Sequence, residues 1–255
     1  MFLRIAPYVV DFAPTYFLAH TAQCANPMLI APYNGITMNT LTLGSDYNPR
    51  EEFLNALTHA LGVVFAVVVL VLMLVKASQS SIDFSALQIT GLVVYGLGMI
   101  AMFLSSTIYH AFSHTRAKWV LKRIDHSAIF AMIAGTYTPI LLIGLNSPKA
   151  HVLFWVLWAV ALAGVVFKVF FVHRFAKMSL ITYLLMGWAS VFVVRDMMAS
   201  MNHSAMLWIV AGGAFYTIGA IFYALKKIPY THAIWHVFVL AGAACHAVAI
   251  GLYVI

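Results

Sequence analysis

The sequence predicts an all-α polytopic membrane protein with seven transmembrane helices. Three observations lead there. Hydrophobic residues make up 64% of the 255 residues and charged residues only 8%, where a soluble domain carries about a quarter charged residues. The apolar residues gather in seven runs, each long enough to cross a bilayer, which takes roughly 20 residues of helix. None of the runs alternates between polar and apolar positions as the strands of a membrane barrel do.

The first run, about 54–75, follows a polar lead-in from Asn39 to Glu52. The second (85–110), third (124–145) and fourth (151–172) follow at short intervals, then the fifth (178–199), sixth (205–225) and seventh (231–254). Glycines within them (Gly91, Gly96, Gly98, Gly135, Gly164, Gly187, Gly212, Gly213 and Gly242) are expected to let helices approach closely. Pro139 is expected to kink the third helix, because it removes a backbone donor and crowds the preceding turn.

Short basic clusters orient the bundle. Arg116, Lys118, Lys122 and Arg123 lie between helices two and three, Lys168, Arg174 and Lys177 around the turn from four to five, and Lys226 and Lys227 between six and seven. The other loops hold only Lys76, Lys149 and Arg195. Nine basic residues against three place the even-numbered loops in the cytoplasm, with the N-terminus inside and the C-terminus outside. The net charge of +7 is spread over these clusters and forms no continuous patch, so nucleic acid is not the expected partner; membrane lipid is. Cys24 and Cys245 lie in unlike contexts and do not read as a disulfide. The chain divides into an N-terminal cytoplasmic segment, 1–50, and a seven-helix domain, 51–255. Pro7, Asp11 and Pro14 break the apolar stretch at the start, and residues 1–37 are expected to be dispensable, with Met38 as the effective beginning.

Ionisable groups are costly within a membrane, so each is a candidate for function. His110 ends the second helix, with Ser106 one turn deeper. Asp125 begins the third. His232 and His236 open the seventh, four residues apart and therefore on one face. The orientation from the loop charges brings His110, Asp125, His232 and His236 to the cytoplasmic side at similar depth, with Ser106 one turn deeper. Each alone has a plainer reading. His110 suits a headgroup contact, Asp125 suits pairing with Lys122 or Arg123 or capping its helix, and Ser106 suits a bond to its own backbone. Their convergence reads instead as a metal site with His110, His232 and His236 as ligands. Three imidazoles with a fourth position left to water are a catalytic zinc arrangement, with Asp125 and Ser106 placed to handle a proton and an oxyanion. His246 is 14 residues beyond His232, about 21 Å along the axis, and cannot share the ion. His59 either lines the mouth of the site or packs. His126 is expected to point away from Asp125. His114, His151, His173 and His203 fall at loops, and Trp119 and Tyr230 suit interfacial anchoring.

Several segments resemble the hemolysin III family, the bacterial branch of the progestin and adiponectin receptor family, in a superfamily that includes alkaline ceramidases. They are Glu51-Glu52-Phe53-Leu54-Asn55-Ala56-Leu57-Thr58-His59, Ser106-Thr107-Ile108-Tyr109-His110, Asp125-His126, Ala134-Gly135-Thr136-Tyr137-Thr138-Pro139 and His232-Ala233-Ile234-Trp235-His236. The resemblance spans about 50–255. It implies seven helices with the N-terminus inside and a zinc ion held by His110, His232 and His236, with Ser106 and Asp125 beside it. It also implies location in the bacterial plasma (inner) membrane and, through the ceramidase relatives, hydrolysis of a lipid amide. Three functions follow as alternatives: a zinc-dependent hydrolase of a lipid amide or ester in membrane lipid homeostasis, a receptor-like or homeostatic protein with structural zinc, and a hemolysin-like pore-former.

Overall fold

The computed structural model describes residues 47–172, 174–225 and 227–255. The expectation for residues 1–37 falls outside them. Seven helical spans, Pro49–Gln79, Ala86–Ala111, Lys118–Leu145, Pro148–Phe171, Ala176–Ser200, His203–Ala224 and Thr231–Tyr253, are long and apolar enough to cross a membrane. Each overlaps one run read from the sequence, and no strand occurs among the described residues. Large apolar side chains such as Val64, Val68, Leu72, Trp155 and Phe192 face outward, as a lipid solvent permits.

Local chemistry sets the helix ends. The first span begins with a capping box: the Asn48 side chain accepts from the backbone N–H groups of Arg50 and Glu51, and the Glu51 carboxylate accepts in return from the Asn48 N–H. Ser85 and Gln88 form the same device at the second span. After Pro139 the third span widens into a π-helical turn, Ile140–Leu145, which Asn146 ends in the left-handed region at φ 42°. The irregularity expected at Pro139 is therefore a change of helical pitch just beyond it.

Sequential neighbours pack side by side from the first span to the fourth; the sixth packs on the seventh and the seventh returns to the first. The third span is the most buried of the seven. Gly98 and Gly135 permit the closest approach of the second and third spans: a Cβ at Gly135 would lie 3.3 Å from the Val94 carbonyl oxygen, and one at Gly98 3.4 Å from that of Ala131. Gly187 does not serve this purpose, since nothing lies within 4 Å of the position of its Cβ. It stands where the fifth span breaks, between α-helix Ala176–Gly187 and a 3-10 turn, Ala189–Val193, that leads into a last helical piece, Val194–Ser200. Tyr137 from the third span satisfies the loosened backbone. Its hydroxyl donates to the Gly187 carbonyl at 2.6 Å and accepts from the Ser190 N–H at 3.0 Å.

Candidate metal centre

The alternation of the spans brings the start of the first, the end of the second and the starts of the third and seventh to one end of the bundle. His110, His232 and His236 meet there, with one ligand nitrogen from each within 4.8 Å of the others. Their rings approach with centroids 4.6–5.1 Å apart and at steep mutual angles. His110 and His236 are buried, and His232 partly so.

What surrounds the rings decides whether they suit a metal. His110 Nδ1 lies 2.5 Å from Glu52 Oε2, with both side chains buried. The carboxylate accepts the Nδ1 proton, which leaves Nε2 as the lone-pair nitrogen, and that buried atom has no hydrogen-bond partner among the described residues. His236 Nδ1 donates to the Asn55 main-chain carbonyl at 3.0 Å, with the Thr58 hydroxyl 3.3 Å away. Metal-bound histidines usually donate their second nitrogen in this way, which fixes the ring and raises its basicity. The residues therefore fit a metal ion. Zinc would be held through one nitrogen of each ring, a donor set of the kind zinc takes.

The first span ties the site together at its own N-terminus. Glu51 accepts a short hydrogen bond from the Tyr230 N–H. Tyr230 is left-handed, at φ 64°, and directly precedes the span that carries His232 and His236. Adjacent carboxylates thus hold the two ligand-bearing spans, Glu51 the seventh and Glu52 the second. Tyr47, just upstream, stacks on His232 with centroids 4.8 Å apart.

Ser106 is buried and faces the cavity below the histidines, while the flanking Ser105 and Thr107 bond back to their own helix. Asp125 lines the same cavity. Its carboxylate lies 3.2 Å from His126 Nδ1, so His126 turns toward Asp125 and not away from it. Arg123 is not its partner: its guanidinium donates to the Trp119 and Val169 carbonyls. Asp125 does not belong to the ligand cluster. His246 stays apart from the cluster and bonds the Ile209 carbonyl at 3.1 Å. His151 bonds Asn146, and His114 and His203 are exposed; His173 lies outside the described residues.

Glu52 and Asn55 are the members of the site that sequence reasoning left without a role. The available signal was an acid and an amide three residues apart at the mouth of an otherwise apolar span. That places both on one helical face, where neither serves lipid.

A cavity of about 150 Å³ runs from His232 and His236 past Ser106, Asp125 and Ile133 to Tyr216 and His246. It follows the seventh span for the ten residues between His236 and His246, about 15 Å at 1.5 Å per residue. That equals about half the hydrocarbon thickness of a bilayer, or one leaflet.

Fold and site together define a multi-pass membrane protein whose helix bundle holds a histidine cluster able to bind a metal ion. The model of a family described as "Haemolysin-III related" matches residues 47–247, and the chain belongs to this family. It is 43% identical to the "Hemolysin-3 homolog" of Bacillus subtilis (strain 168) over 195 residues, 76% of this chain and 90% of that one. It is 37% identical to the "Hemolysin-3" of Bacillus cereus, over 81% and 93% of the two chains. The human "Monocyte to macrophage differentiation factor" is 31% identical over 63% of this chain and 68% of its own. Seven apolar helices and bacterial relatives of this kind are in keeping with the bacterial inner membrane.

Proposed function

We propose that the protein is a zinc-dependent hydrolase that cleaves an amide or ester of a membrane lipid near the cytoplasmic face, in the service of membrane lipid homeostasis. The observation that carries this reading is the position of the three histidines at the head of an apolar cavity one leaflet long. Three neutral imidazoles suit zinc. Zinc held by them would lower the pKa of a bound water towards about 7 and polarise a carbonyl.

The chain's own residues do the rest. Glu52 and the Asn55 carbonyl hold the His110 and His236 rings with Nε2 inward. The Asp125 carboxylate, 3.2 Å from the His126 ring, accepts a proton at Oδ1 or Oδ2. The Ser106 hydroxyl donates to the substrate's carbonyl oxygen as charge develops there. The cavity wall holds the acyl chain and keeps bulk water from it. Asp125 stands outside the ligand cluster, so only three side chains would hold a metal there, which supports a catalytic site over a closed one.

A second reading, in which the metal is a structural tie, has its own support. The second and seventh spans share little direct packing, with the first span between them, and the three histidines join them. One experiment separates the two. Purified wild type, His110→Ala and His236→Ala are assayed for metal content and for turnover of a panel of lipid amides and esters. The hydrolase reading expects both to be lost in the variants. Turnover that survives in metal-free protein overturns it, and metal-dependent thermal stability without turnover of any lipid establishes the tie.

A further inference from the structure

Two buried side chains of the first span have no part in holding the metal. Asn55 is fully buried and His59, one turn on, is 3% exposed. Asn55 serves His236 through its main-chain carbonyl only. Among the described residues, Asn55 Oδ1 and Nδ2 and His59 Nδ1 and Nε2 have no hydrogen-bond partner. Four unpaired polar atoms buried together on one helical face stand out. Each such group left unpaired shifts an equilibrium by roughly tenfold.

His59 is not a fourth ligand. It lies flat on His236, with centroids 3.6 Å apart and planes 10° apart, and meets the edge of Phe103 at 5.1 Å. Its nitrogens fall outside the cluster that His110, His232 and His236 form. The ring borders the cavity together with Met102 and Ser106. A neutral imidazole offers one donor and one acceptor, and a carboxamide offers two donors and one acceptor. The His59 ring at the cavity wall, with the Asn55 carboxamide buried behind it, therefore complements a neutral group that both donates and accepts. An ester or a tertiary amide only accepts and leaves an acceptor nitrogen unmet.

We propose that His59, backed by Asn55 one turn earlier, forms a neutral polar subsite beside the metal centre that hydrogen-bonds a donor-and-acceptor group of the bound lipid. This rests on the lipid-binding part of the hydrolase reading. His59 reads the polar group next to the bond under attack, and the apolar cavity accepts any chain of suitable length.

The test uses the full chain, metal-loaded in detergent micelles, with oleamide and N,N-dimethyloleamide as probes and calorimetry as the readout. The two share a chain and a carbonyl, and only the first carries N–H donors. Wild type is expected to bind oleamide at least tenfold more tightly. His59→Phe and His59→Leu should reduce that ratio to about one while metal content stays at the wild-type level, and His59→Gln, which keeps a donor and an acceptor, should retain most of it. Equal affinities in wild type, or a ratio that survives in a folded His59→Phe or His59→Leu, overturns the proposal. Failure of the hydrolase reading looks different: no lipid is turned over, yet the ratio and its loss persist.

Discussion

Replacing Glu52 by glutamine probes the metal centre without touching a ligand. The change keeps the shape of the side chain and an acceptor oxygen, and removes the charge. The bond at stake joins two buried groups at 2.5 Å, Glu52 Oε2 and His110 Nδ1. Hydrogen bonds to a charged partner contribute about 1.5–3 kcal/mol and neutral ones about 0.5–1.5, so the expected loss is about 1–2 kcal/mol. If the bond serves to orient His110 and raise its basicity, the metal Kd rises by roughly 5- to 30-fold, at the lower end of the 10- to 100-fold typical of such outer partners. Competition against a chelator of known affinity measures it, with purified protein and thermal unfolding as a check on folding. A Glu52→Gln protein that folds normally and binds metal within about twofold of wild type would refute the reasoning.

Asp125→Asn leaves the ligand cluster intact and removes the proposed proton acceptor. Metal content should stay at the wild-type level while turnover of a lipid amide falls by 100-fold or more, as for loss of a general base. Tyr137→Phe removes the hydroxyl that serves both Gly187 and Ser190; the two exposed backbone groups should cost roughly 1–3 kcal/mol, read as a lower unfolding temperature in detergent. Gly135→Leu places a branched side chain where even a Cβ is 3.3 Å from the Val94 carbonyl. It should force the second and third spans apart and lower the yield of folded protein, whereas Gly187→Leu, facing open space, should be far milder.

The spans and the three histidines were legible because both are written in composition. Lipid-facing helices must be apolar, and ionisable residues at their ends then stand out. Loop charges from other residues supplied the depth that brought His110, His232 and His236 into one layer. Glu52 escaped because an acid in the first turn of a helix reads as a partner for the helix dipole, as its neighbour Glu51 also does. Only the lateral distance between the first and second spans reveals the bond to His110. His126 misled for a related reason: successive helical residues diverge by about 100°, yet an imidazole is long enough to bring Nδ1 back to the preceding carboxylate. The break in the fifth span was marked only by Gly187, which reads as a close-packing glycine, since the residue that stabilises the break, Tyr137, is fifty positions earlier.

That distant tyrosine also bears on how the protein is assembled in the membrane. Until its hydroxyl is in reach, the fifth span carries backbone groups around Gly187 and Ser190 that hydrocarbon cannot satisfy. On its own it is a poor candidate for independent, stable insertion as one straight rod. The third span leaves the ribosome first, so the partner is already waiting when the fifth arrives. Chain order thus supplies a template, and a rearranged gene that delivered the fifth span before the third would leave it to wait at the insertion machinery.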